Sequence, residues 1–191
     1  MQLTFNTNEL FHPLADHVPI LLEIVQGIQQ REYSFDPEIE EVRKLTPHLE
    51  EAPEDDVAGF NTLYSVLQAY QSRTASIMFS VLQEKAWWIQ QLHHVKRSYK
   101  RARAVLLHTR PEIKELRNKE LQDAAISEEI NEIVQLMSFL EDVIEDLELT
   151  VELLQVKQTD LEKANTNLSR QQKIVESLIG LGDPVRARRQ R

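Results

Sequence analysis

Apolar side chains recur along most of this chain at alternating steps of three and four, the spacing of one face of an α-helix. The first long run is Phe60, Leu63, Leu67, Tyr70, Thr74, Ile77 and Val81, continued by Lys85, Trp88, Leu92, Val95, Tyr99, Ala102 and Leu106. It predicts one helix of about 50 residues, with Asp55 and Asp56 before it as N-cap candidates. Successive steps of four at Ile77, Val81 and Lys85 shift the seven-residue repeat, so a coiled coil there would unwind locally. Pro111 removes a helical N–H and disfavours helical geometry at Arg110, which ends or kinks the helix. Thr109 and Glu112 have the spacing of a capping box that restarts a helix at once.

The second run is longer and more regular. With Ile130 as position a, the a series is Ile130, Met137, Ile144, Val151, Gln158, Asn165, Gln172 and Ile179. The d series is Ile126, Ile133, Leu140, Leu147, Leu154, Leu161, Leu168 and Val175, apolar at every position. A 3,4 repeat of this length indicates a coiled coil, and Gly180, Gly182 and Pro184 supply its stop signals. The expected self-association surface is Ile130, Ile133, Met137, Leu140, Ile144, Leu147, Val151, Leu154, Gln158, Leu161, Asn165 and Leu168, with an intramolecular hairpin against the first long helix as a further arrangement. The amides at Gln158, Asn165 and Gln172 cost stability in a seam unless each finds a partner amide, which would fix register and oligomer number; otherwise this end frays or faces water.

Residues 1–56 hold five of the seven prolines and close on the acidic stretch "EEAPEDD", a linker or helix lead-in. Within them "PILLEIVQGI" offers a short amphipathic helix starting at Pro19, a position where the missing N–H costs nothing. The organisation expected is an N-terminal accessory arm and linker over 1–56, a helical coiled-coil domain over 57–182 and a basic flexible tail over 183–191. The fold class is all-α: long helices forming a hairpin or coiled coil, with a small N-terminal helical arm.

Composition agrees. Aromatics are 6% and glycines number four, while helix formers abound. The absence of cysteine excludes disulfides, thiolate metal sites and a cysteine nucleophile, and suits a reducing cytoplasm. No apolar run approaches the roughly 20 residues of a membrane span, and "MQLTFNTNEL" lacks a basic segment followed by an apolar core. A soluble protein of the cytoplasm, with no membrane partner, is expected.

Charge changes the picture most. The formal net charge is -9, yet Lys96, Arg97, Lys100, Arg101, Arg103, Arg110, Lys114, Arg117 and Lys119 stand with only Glu112 and Glu115 among them, a local charge of +7. Residues 120–163 carry thirteen acids against Lys157 and Lys163, and residues 32–56 carry ten against Arg43 and Lys44. Lys96, Lys100 and Arg103 share one helical face, with Arg97 and Arg101 beside them, off the apolar stripe. Like charges four apart oppose the helix by a few tenths of a kcal/mol each, so this band calls for an external anion. Three anions fit: a nucleic-acid backbone, an anionic membrane, and the acidic coiled coil of this or a neighbouring chain. The membrane fits least, because the stripe beneath the band is already committed to packing.

Aromatic rings interleaved with a basic track are what single-stranded nucleic-acid binders use. Trp88, Tyr99 and Leu92 fall on the packing stripe, leaving Trp87 and His93 as stacking candidates, with His94 adjacent. The tail "RARRQR" reads as a second phosphate contact or a solubilising end. Catalytic signatures are missing: there is no Gly-rich phosphate loop, H-E-x-x-H or nucleophile elbow, and no histidine spacing suited to a metal. Neither an enzyme nor a cofactor is expected.

The sequence "VKRSYKRARAVLL", then "PEIKELRNKELQDAA", an acidic coiled-coil helix and "NTNLSRQQKIVESLIGLG" resemble, over residues 80–182, the recombination mediators of tailed phages. That resemblance implies single-stranded DNA binding through Lys96, Arg97, Lys100, Arg101 and Arg103, and oligomerisation through the Ile130–Ile179 seam. It further implies, as partners in the host cytoplasm, a strand-exchange recombinase and a single-strand binding protein. The acidic N-terminal arm and the length of the coiled coil depart from that pattern. Against it stands a structural coiled-coil protein, a virion or scaffold component, whose basic band docks on acidic helices.

Overall fold

The computed structural model describes residues 18–31, 34–45 and 57–189, with side chains at 19–31, 34–45 and 59–180. Six helices follow in order: α1 (Val18–Gln29), α2 (Asp36–Lys44), α3 (Val57–Thr109), α4 (Pro111–Lys114), α5 (Lys119–Glu129) and α6 (Asn131–Arg189). The fold is all-α, and the two long helices pack against each other, as their stripes require. They divide into two compact units. The first takes α1, α3 from Gln83, α4, α5 and α6 as far as Glu148; the second takes α2, α3 up to Leu82 and α6 from Leu149.

In the first unit Trp88, Leu92, Val95, Ala102 and Leu106 of α3 are buried, as are Ile133, Leu136, Leu140, Val143 and Leu147 of α6. Lys96 pairs with Glu141 and Lys85 with Glu148, both at 2.7 Å, so α6 runs antiparallel to α3. Lys85 falls on the apolar stripe, laying its methylenes along it while the ammonium reaches a carboxylate. Helix α1 buries Leu21, Ile24 and Ile28, one face of the amphipathic helix that "PILLEIVQGI" predicts. Its far end is tied to α3. The Arg31 guanidinium donates to both Glu84 carboxylate oxygens at 2.9 and 2.8 Å and lies 4.0 Å from the Trp87 ring centroid. Glu84 also accepts from the indole N–H of Trp88 at 3.1 Å. Gly27 permits this approach, since a Cβ there would meet the Trp87 ring at 3.3 Å.

The second unit is built around Phe60 and Leu67 of α3 against Leu161, Ala164 and Leu168 of α6, flanked by Leu63, Tyr64, Tyr70 and Val175. The Tyr64 hydroxyl donates to Ser169 at 2.9 Å, again an antiparallel level. Thr74, on the stripe, is buried and its hydroxyl donates to the Tyr70 carbonyl at 2.9 Å, so it carries no unsatisfied group. Helix α2, which sequence pattern did not resolve, buries Val42 and docks through a two-bond Arg73–Glu41 pair at 2.8 and 2.6 Å.

Several expectations are corrected. Ile130, Ile133, Leu140, Leu147, Val151, Leu154, Leu161 and Leu168 are buried within the single chain, the intramolecular arrangement named beside self-association. Met137, Ile144, Gln158 and Asn165 are half-buried, while Leu136 and Val143 are buried in their place; globular helix packing covers a wider stripe than an a/d seam. The amides bond along their own helix, Gln158 to Glu162 at 3.5 Å and Gln172 to Glu176 at 2.9 Å, not to partner amides. The capping box at Thr109 does not form. Its hydroxyl donates back to the Val105 carbonyl, and Arg110 starts α4 with no side-chain cap. The repeat is also broken at Ile130, which lies between α5 and α6 with φ -126° and ψ 37°. Helix α6 continues past Gly180, Gly182 and Pro184 to Arg189, although these are the least helix-favouring residues in it. Asp55, Asp56 and "EEAPEDD" lie outside the described residues, as do the side chains of the basic tail.

Gln158 is the weak point of the second unit, because its carbonyl oxygen is buried with no donor. Replacing it with Leu is expected to stabilise the chain by about 1 kcal/mol, through removal of that unmet acceptor. Leu161→Ala, at a site 1% exposed, is expected to cost about 2–5 kcal/mol. Chemical denaturation of the two variants checks both.

The docking of α2 is set to depend on pH. Hydrogen bonding to Arg73, aided by its charge, holds the Glu41 carboxyl below the usual carboxylate range despite an opposing desolvation contribution. A carboxyl more acidic in the folded state contributes stability that is complete above the ordinary glutamate range and disappears as pH falls through its lowered value. Amide exchange in α2 is therefore expected to accelerate in acid before α3 melts. In the Glu41→Gln variant α2 should exchange fast at neutral pH, with no further acceleration from this group.

Candidate nucleic-acid interface

The basic band begins on the last turns of α3 and continues around α4 into α5, all within the first unit. Ile113, 6% exposed, anchors α4. The amide of Gln122 donates to the carbonyls of Lys114 and Leu116 at 3.2 and 2.9 Å, and the side chain of Asn118 caps α5 by accepting from the Glu120 N–H at 2.9 Å. These bonds hold the turn that carries Lys114, Arg117 and Lys119.

The nine cations divide into two sets. Lys96 pairs with Glu141 on α6, Arg103 with Asp123 on α5 at 2.6 Å, and Arg110 with Glu112 at 3.4 Å and Glu129 at 3.7 Å. Arg103 is partly covered, and its Nε is buried with no acceptor. These side chains belong to the packing of α3 against its acidic neighbours. Arg97, Lys100, Arg101, Lys114, Arg117 and Lys119 are exposed. Among the described residues no carboxylate forms an ion pair with Arg97, Lys100, Lys114, Arg117 or Lys119. Lys100 and Arg103, on one helical face by spacing, thus differ in state because an acidic helix reaches one and not the other.

The aromatic expectations divide as well. Trp88 and Leu92 are core, as their stripe positions imply, with Trp88 edge-on to Phe139 at a centroid distance of 6.1 Å. Trp87 is half-buried under Arg31 and edge-on to Trp88 at 5.1 Å, so its face is already occupied. His93 is exposed and Tyr99 half-buried. Between α1 and α3 lies a cleft of about 750 Å³ that sequence reasoning did not anticipate, lined by Ile20, Glu23, Gly27, Arg31, Trp87, Gln90, Gln91 and His94 among others. Its described lining has no serine, threonine or cysteine to act as a nucleophile. Among the described residues no group of three His, Asp or Glu is placed to hold a metal ion, and no helix is long and apolar enough to cross a membrane.

Comparison with protein-family models, with curated proteins and with solved structures yields no match.

Because solvent screens exposed pairs, Lys96→Ala and Arg103→Ala are each expected to lower stability by up to about 1 kcal/mol. Arg97→Ala and Lys100→Ala should stay within about 0.5 kcal/mol of the parent. Thermal unfolding at low and high salt checks this, and the difference should narrow at high salt.

Proposed function

We propose that this chain is a non-enzymatic accessory protein that holds single-stranded nucleic acid, DNA foremost, on its exposed cations. In this reading it acts as a phage recombination mediator, in the host cytoplasm, beside a recombinase and a single-strand binding protein. The observation that carries it is the set Arg97, Lys100, Lys114, Arg117 and Lys119: exposed, and without a carboxylate among the described residues, in a chain with a net charge of -9. An acidic chain has carboxylates enough to pair every cation. Leaving these exposed suits a polyanion that supplies its own charge, and the surrounding acids confine that polyanion to one surface. The half-exposed ring of Tyr99 and the exposed His93 offer base contacts beside the track.

A structural coiled-coil role, as a virion or scaffold component, is the second reading. The ion pairs Lys96–Glu141, Arg103–Asp123 and Arg110–Glu129 favour it, because they put part of the band to use within the chain.

Titration of a single-stranded oligonucleotide at several salt concentrations separates the two. Each neutralised phosphate on a single strand contributes a slope of about -0.7 in log affinity against log salt. The combined Arg97→Ala, Lys100→Ala and Lys119→Ala variant is expected to bind all sequences more weakly and to flatten the slope by about 2. Lys96→Ala with Arg103→Ala should leave the slope unchanged. No binding by the parent chain at low salt, or equal losses in both variants, would overturn the nucleic-acid reading in favour of the structural one.

A further inference from the structure

The cleft between α1 and α3 lies wholly within the first unit. Its volume of about 750 Å³ falls within the roughly 300–1,000 Å³ of sites that take small organic groups. Among the described residues no hydrogen bond engages the side chains of Gln30, Gln90, Gln91 or His94, which leaves three amides and an imidazole on its walls with donors and acceptors to offer. Arg31 is the opposite case, held by two bonds to Glu84 and seated 4.0 Å from the Trp87 ring centroid.

These groups select a ligand. The Glu23 carboxylate opposes an anion and the Arg31 guanidinium opposes a second cation, so the cleft suits an uncharged group. The amides suit one that carries donors and acceptors along a single edge. The guanidinium over the indole adds a planar surface, and arginine planes of this kind are platforms on which bases stack. An uncharged flat ring with a mixed hydrogen-bonding edge is a nucleobase.

Position along α3 gives the same answer. Trp87, Gln91, His94 and Arg97 follow at steps of four, three and three, which sets them along one side of the helix. Arg97 stands about 4.5 Å further along the axis than His94, and Lys100 is the next turn. Helix α3 carries no acid beyond Glu84, so nothing of negative charge on it separates the cleft wall from these two exposed cations.

Building on the nucleic-acid reading of the basic band, we infer that the α1–α3 cleft receives one unpaired base of a strand whose phosphates rest on Arg97 and Lys100. The amides of Gln90 and Gln91 bond the edge of that base. A base within a duplex has this edge already occupied, so the cleft favours single strands.

The test compares the affinity of the full chain for an oligothymidylate and for an abasic strand of equal length and charge, each across a range of salt. The parent is expected to prefer the base-bearing strand by about tenfold at every salt concentration. Gln90→Ala combined with Gln91→Ala should abolish most of that preference and leave the salt slope unchanged, since no phosphate contact is altered; alanine preserves the helix. The Arg97→Ala, Lys100→Ala and Lys119→Ala variant should behave in reverse, with a flatter slope and the preference retained. The chain has two tryptophans, of which Trp88 is buried, so the emission of Trp87 should fall on addition of the oligothymidylate and not of the abasic strand. Equal affinity or equal quenching by the two strands, or an amide variant that keeps the preference, would overturn the cleft as a base site while the band still binds phosphates. No binding of either strand at low salt would overturn both.

Discussion

Everything in this molecule depends on two long helices having to hide one apolar stripe each. A single helix exposing Phe60, Leu67, Ile77, Val81 and Trp88 down one side cannot stay folded in water on backbone hydrogen bonds alone. Helix α6, with Ile133, Leu140, Leu147, Leu154, Leu161 and Leu168 buried at every seventh position, presents the complement. Antiparallel packing then follows from connectivity, because the short turn around Pro111 and the α4–α5 segment return the chain toward its start. Once that layer exists, α1 and α2 need few contacts to dock. The Arg31–Glu84–Trp88 network with the Trp87 face secures one, and the Arg73–Glu41 pair with buried Val42 the other.

Packing also sorts the charges. A basic helix beside acidic ones pairs where side chains can reach, and surface pairs of this kind contribute little energy each. Lys96 and Arg103 are drawn toward α6 and α5, whereas Lys100, four residues from one and three from the other, points elsewhere. The acids therefore neutralise the inner edge of the band and leave its outer edge charged. That division is what makes one cation a packing residue and its neighbour a candidate ligand contact, and it gives the two functional readings different residues to stand on.

Surfaces left apolar are the other consequence. Helix α6 buries side chains from its a, d and g positions in the chain's own core, yet leaves Leu149, Leu153, Val156 and Ile174 exposed at c and f positions. Burying such residues contributes about 25 cal/mol per Å² of apolar area removed from water.

By itself the sequence determined the all-α class, the three-and-four spacing of both stripes, the core role of Trp88, Leu92 and Val95, the break near Pro111 and the short amphipathic α1. These rest on local periodicity and on the covalent restrictions of proline, which act within a few residues and need no partner. What tertiary structure decided was which faces meet. It placed Leu136 and Val143 inside where the heptad named Met137 and Ile144, covered Trp87 with an arginine 56 positions earlier in the chain, and turned Thr109 back onto its own helix. It also chose which cations find carboxylates. Each of these depends on which side of a helix a distant element approaches, and a one-dimensional repeat marks that a face is buried without saying against what.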